Sequence, residues 1–162
     1  AALPAGVLMF VDPGPLIADI PEPVLRPVLS RCDWWSSNQR EAALLTGAGD
    51  PAEAARLLIA RTGRAGVIVR AGRSGCVLAL RAPGPGAVPL SLIPAPAVVA
   101  VDTTGAGDAH AGVFLAGLAA GLLPAAAASR ANAAAALAVT RAGPAESPSR
   151  AELDAFWSRP TP

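Results

Sequence analysis

Two kinds of apolar pattern alternate along the chain: short continuous runs and longer stripes at helical spacing. Val7–Val11 is a short apolar run that stops at the turn cluster Asp12-Pro13-Gly14-Pro15, so it reads as a strand. Val24–Arg31 follows as a short helix and Trp34–Ser36 as a second strand. Asn38 starts a helix that stops at Gly47. In Pro51–Thr62, Ala55, Leu58 and Ile59 share one face while Glu53, Arg56 and Arg61 fall elsewhere, the spacing of an amphipathic helix. Val67–Val69 and Cys76–Leu80 read as paired strands about a Gly-rich turn, with a loop at Pro83–Gly86. Val88–Ile93 and Ala97–Val101 read as further strands, the latter buried. Helices are predicted over Ala109–Ala120, Pro124–Arg141 and Ser149–Trp157. Strands alternating with helices indicate an α/β layered domain with a mainly parallel sheet flanked by helices.

The length of 162 residues suits one domain. Net charge is +1, without a basic block, so neither nucleic acid nor an anionic membrane is an implied partner. All 13 basic residues are Arg; the absence of Lys excludes a P-loop, which requires Gly-Lys-Ser/Thr. Cys32 and Cys76 stand far apart without a CxxC and read as reduced, partly buried thiols. One His and two Cys do not build a usual zinc site. Ala1–Val11 carries no positive n-region, so it does not read as a signal peptide. No charge occurs between Asp108 and Arg130, but the stretch is mostly Ala and Gly. A membrane span needs about 20 strongly apolar residues, so two buried helices joined by Gly121-Leu122-Leu123-Pro124 is the better reading.

The stretch that carries chemistry is Asp102-Thr103-Thr104-Gly105-Ala106-Gly107-Asp108, between the Ala97–Val101 run and a predicted helix. A small-residue turn at a helix start presents backbone N–H groups and the positive end of the helix dipole, an anion site. Gly105, Ala106 and Gly107 would form an anion hole, and Asp108 would take the proton of an attacking hydroxyl. The bland alternative is a tight turn with an acid in the first helical turn. A dinucleotide-binding reading is weaker, because Gly105-x-Gly107 lacks a third Gly at position 110, which is His. Asn38 and Glu41 are spaced as a capping box, or as a pair in which Glu41 orients waters on Mg²⁺; spacing leaves both open. After the Val67–Val69 strand, Gly72 would let backbone approach a nucleotide and Arg70 could reach a phosphate; a solvated strand end is the alternative.

Asp-Thr-Thr-Gly-Ala-Gly-Asp at 102–108 resembles the signature of the ribokinase, or PfkB-type, family of carbohydrate kinases. Asn38-Gln39-Arg40-Glu41 followed by Leu44-Leu45-Thr46-Gly47 is similar to the family's Asn-x-x-Glu helix start. Val67–Gly75 is similar to its strand–Gly–hairpin segment, and Ala131–Ala135 followed by Thr140-Arg141-Ala142-Gly143 to its last nucleotide-side helix. The resemblance covers most of the chain but only the C-terminal half of the family. It implies a ribokinase-like fold over residues 1–162, with the family's N-terminal half and lid absent. It also implies ATP-dependent phosphorylation of a sugar or sugar-like hydroxyl, with Mg²⁺ and, as a further cation, K⁺. By resemblance, Asp108 is the base, Glu41 serves Mg²⁺, and Asn38, Arg70, Gly72 and Asn132 serve the nucleotide. Asp102 and Thr104 are similar to positions that help bind a monovalent cation, with carbonyls of Ala142–Ser147. The implied partner is a small-molecule sugar or nucleoside, the implied location the cytoplasm, and the complete protein a homodimer. A non-catalytic nucleotide-binding fragment and a kinase for a nucleoside or vitamin precursor are the competing readings. The 162-residue chain alone is expected not to phosphorylate a sugar at a useful rate. His110, two residues after Asp108, and Trp34, Trp35 and Trp157 are read as packing residues.

Overall fold

Phe10–Val11 (β1), Trp34–Asn38 (β2) and Gly66–Arg70 (β3) are parallel neighbours, with Phe10 opposite Trp34 and Trp34 opposite Gly66. The computed structural model describes residues 4, 6–62, 66–82, 84, 87–144 and 146–157. The sheet continues through Cys76–Leu80 (β4) to Leu90–Ile93 (β5), in the order β1-β2-β3-β4-β5. Only Ala71–Gly75 separates β3 from β4, too short for a parallel crossover, so that pair is an antiparallel hairpin. The helices are Glu22–Arg31 (α1), Gln39–Thr46 (α2), Pro51–Thr62 (α3), Ala106–Ala119 (α4), Pro124–Ala138 (α5) and Arg150–Trp157 (α6). Two compact units divide the chain: residues 1–71 with 77–91, and residues 72–76 with 92–162.

The core of the first unit explains why β2 and β3 form. Trp34 to Ser37 and Gly66 to Val69 are buried at every position, as parallel strands covered on both faces are. Leu25 and Leu29 of α1 and Ala54, Ala55, Leu58 and Ile59 of α3 pack with Trp35, Val67 and Val69. The hydroxyl of Ser37 accepts from the Trp35 indole at 3.2 Å, which satisfies the indole donor inside the core. At Gly66 a Cβ would run into the Trp34 ring.

In the second unit the apolar face is made of small residues. Seven alanines of α5, from Ala127 to Ala138, are buried, and the Cβ of Ala127 lies 3.0 Å from where a side chain at Gly117 of α4 would begin. Ala133 and Ala134 also pack with Leu153 of α6, Val113 and Phe156. Helix α6 starts on a second capping box. Ser149 Oγ accepts from Glu152 N at 3.3 Å, and Glu152 Oε2 accepts from Ser149 N and from its hydroxyl, both at 2.7 Å. The Ser149 and Arg141 donors hold the Glu152 carboxyl down at about 2. Among the described residues no helix is long and apolar enough to cross a membrane; the uncharged stretch after Asp108 is α4 and α5, joined at Gly121–Leu123.

Several boundaries differ from the sequence expectation. Ala97–Val101 is not a buried strand. Its backbone is in no ladder among the described residues, and Val99 is 84% and Val101 64% exposed. Val101 N donates to Val139 O at 2.7 Å, which fixes one end of the run only. An apolar β-branched sequence creates strand propensity, but a strand needs a partner edge. Helix α4 begins at Ala106, three residues early, and α5 ends at Ala138, three residues early. The Pro83–Gly86 loop lies outside the described residues apart from Gly84.

Candidate active site

In the first unit, the carboxyl ends of three parallel strands bring together Asp12, just past β1, Asn38 at the end of β2 and Arg70 at the end of β3. Asn38 and Arg70 are directly opposite in the ladder. Carboxyl ends of parallel strands are where α/β sheets bind ligands. Asn38 is also the N-cap of α2: its Oδ1 accepts from Glu41 N at 2.9 Å, while Glu41 Oε2 accepts from Asn38 N at 2.8 Å. The capping box read from the spacing is therefore present. In addition Glu41 Oε1 accepts from Asn38 Nδ2 at 2.6 Å, so two hydrogen bonds from Asn38, one to each oxygen, orient this buried carboxylate. Arg70 Nη1 lies 2.7 Å from Asp12 Oδ2, and Nη2 3.7 Å from Glu41 Oε2. The guanidinium that the sequence reading sent toward a phosphate has two carboxylates at hand.

In the second unit, Gly105 is the N-cap of α4 at φ 79°, a left-handed conformation that an L side chain resists. The turn it allows is closed by Ala106 N donating to Thr103 O at 3.3 Å, and Ala109 N opens the helix ladder on Gly105 O at 2.9 Å. Between them the N–H groups of Gly107 and Asp108 belong to the first turn, where helix geometry supplies no acceptor. Asp108 is exposed in that turn. Asp102 braces the loop from below. Its Oδ1 accepts from Thr104 N at 2.9 Å and its Oδ2 from Gly143 N at 3.1 Å. Hydrogen bonds from Thr104, then Gly143, hold its carboxyl below the usual value of 3.8.

Asn132, on α5, is 4% exposed, and its amide donates to Ile93 O at 2.9 Å and Pro94 O at 3.3 Å. It staples the end of β5. Gly75 belongs to the same corner: at φ 92° its missing side chain leaves room for the Ile93–Ala95 backbone. Gly72 opens a short exposed turn, Gly72–Ser74. His110 is buried, 2% exposed, in keeping with a packing residue. Sequence reading missed Asp12, which it placed in a turn; the available signal was an acid directly after a strand that parallel pairing brings beside β2.

The donor chemistry suits Mg²⁺. Glu41 and Asp12 offer hard carboxylate oxygens, and each Glu41 oxygen keeps acceptor capacity beyond its Asn38 bond. Mg²⁺ retains most of its waters and takes one or two carboxylates. Accordingly no cage is needed, and among the described residues no group of three or more His, Cys, Asp or Glu gathers.

A model of the pfkB family of carbohydrate kinases matches residues 5–151. The chain belongs to that family. It is 36% identical to ribokinase of Mus musculus over 115 residues, which are 68% of this chain and 33% of that protein. Ribokinase of Arabidopsis thaliana, solved with ribose and ATP, superposes with a TM-score of 0.81 at 26% identity, over 96% of this chain and 49% of its own. A nucleoside kinase of Burkholderia thailandensis, solved with inosine, superposes with a TM-score of 0.76 at 29% identity, over 94% of this chain and 48% of its own. The chain thus spans a third to a half of the length of these relatives. The pfkB kinase resemblance of the four sequence segments and the ribokinase-like α/β fold are both borne out.

Proposed function

We propose that this chain is the catalytic, nucleotide-side half of a kinase domain that transfers the terminal phosphoryl group of ATP to a hydroxyl of a sugar or nucleoside. The observation that supports it most is the start of α4: a left-handed Gly105, two first-turn N–H groups, and an exposed Asp108 beside them. Phosphoryl transfer asks the protein mainly for positioning and charge stabilisation. The Gly105–Gly107 turn would receive the transferred phosphoryl oxygens. Fixed N–H donors there stabilise developing charge without reorganising, and small side chains let the backbone come close. Asp108 would accept the proton of the attacking hydroxyl as the new P–O bond forms.

Glu41, oriented by its capping box, and Asp12 would hold Mg²⁺ through its waters, and Asn38 would lie on the nucleotide side. The metal, when bound, neutralises phosphate charge. Gly72 would let the backbone pass beside the nucleotide, and Asn132 would act by fixing the Ile93–Pro94 corner. Asp102 and Thr104 would shape a loop for a monovalent cation such as K⁺, with carbonyls near Gly143. A nucleoside acceptor is the second reading, favoured by the likeness to the Burkholderia nucleoside kinase.

The test is ATP binding by the chain, and ADP formation over sugars and nucleosides with Mg²⁺ and K⁺ in a protein that carries it. Acceptor-dependent ADP release that requires Asp108 supports the assignment. ATP turnover unaffected by any acceptor, or by loss of Asp108, overturns it.

A further inference from the structure

Arg70 occupies an unusual place for a strand-end arginine. Its side chain is 14% exposed, and it stands between Asp12, 26% exposed, and Glu41, 6% exposed. Asp12 comes from the end of β1 and Glu41 from the first turn of α2, so two acids from different elements converge on one guanidinium. Asp12 is anchored on its far side by Gly14 N, at 3.3 Å from Oδ1, and Glu41 by Asn38. Neither carboxylate is a loose surface group that swung over to a nearby arginine.

We infer that Arg70 is a positioning residue that acts as a built-in counter-cation for the Asp12–Glu41 pair and sets how strongly that pair attracts a divalent cation. The inference rests on the proposed assignment of Glu41 to Mg²⁺. Two carboxylates turned toward one point repel each other, and a positive charge within 4 Å of each offsets that repulsion. The same charge repels a second cation. The pair is held ready for Mg²⁺ at the cost of weaker binding, which suits an ion that arrives with a nucleotide's phosphates.

The test is binding of Mn²⁺ alone, as a probe for Mg²⁺, to the 162-residue chain, followed by the loss of the free-ion electron paramagnetic resonance signal. Arg70→Gln is expected to bind Mn²⁺ about tenfold tighter, an estimate that allows for solvent screening of a partly exposed group. Arg70→Lys keeps the charge without the fork and is expected to stay within about twofold of the unaltered chain. Asp12→Asn is expected to weaken Mn²⁺ binding and to cancel the gain of Arg70→Gln. Equal or weaker binding by Arg70→Gln, or no effect of Asp12→Asn, overturns the inference. If circular dichroism shows Arg70→Gln unfolded, Arg70→Lys and Asp12→Asn decide it: a tenfold change in the first or none in the second counts against. Glu41→Gln separates the two claims. If it leaves Mn²⁺ binding unchanged, the Glu41 assignment fails; if it weakens binding while Arg70→Gln adds nothing, only the counter-cation role fails.

Discussion

The carboxylate of Asp102 accepts a hydrogen bond from Gly143 N at 3.1 Å across 41 residues of sequence. One side chain thereby ties the loop before α4 to the turn after α5, and its other oxygen holds Thr104 N at 2.9 Å. Asp102→Ala should free both amides. The expected outcome is faster hydrogen exchange at Thr104 and Gly143, with the middles of α4 and α5 as protected as before, since helix interiors open by a different, costlier route. Unchanged protection at both amides would contradict the bracing role.

Asp108→Asn should lower kcat by about 10²–10⁴ in a protein that carries this chain, with ATP affinity nearly unchanged. Asn keeps size and polarity but cannot take a proton. Because Asp108 is exposed, the thermal midpoint should hardly move, which separates a catalytic loss from a folding one.

Gly105→Ala tests the turn itself. At φ 79° a side chain costs about 1–2 kcal/mol, to be read from denaturant unfolding. Gly107→Val, one position into the first turn, should instead leave stability closer to the original and weaken ATP binding, by crowding the phosphate approach. Calorimetric titration with ATP reads the difference.

Asn132→Ala removes the amide that donates to the part-buried carbonyls of Ile93 and Pro94. The expected loss is about 0.5–1.5 kcal/mol of stability, the net worth of an ordinary hydrogen bond whose acceptor water can reach. Asn132→Asp should not restore it, because an ionised carboxylate cannot donate to a carbonyl.

Glu152 provides a pH test. Its folded-state value is about 2 against an ordinary 4.5, and a depressed carboxyl contributes stability above its unfolded value that is lost as pH falls through the folded one. Glu152→Gln should therefore lower the thermal midpoint at neutral pH. The gap should narrow below about pH 4.5 and close near pH 2. A gap that stays constant over that range would mean that the Ser149 and Arg141 contacts do not act through the charge.

What the sequence by itself determined is local. The Asn38–Glu41 box lies within a single turn of chain, and it formed as the spacing indicates. So did α3, whose apolar face follows a 3.6-residue period and whose start is bonded by Asp50 to Glu53 N. The Gly105 turn was also legible, because a left-handed helix cap calls for a residue without a side chain. Tertiary structure decided the rest. Parallel pairing of β1, β2 and β3 set Asp12 and Arg70 at one end of the sheet, and no local pattern marks two residues so far apart as an ion pair. Asn132 reads as a helix-surface or nucleotide-side residue until the Ile93 carbonyl, 39 residues back, is placed against it. Ala97–Val101 shows the converse. Its composition is that of a buried strand, yet Val99 stands exposed, because strand pairing and burial are supplied by neighbours rather than by the segment itself.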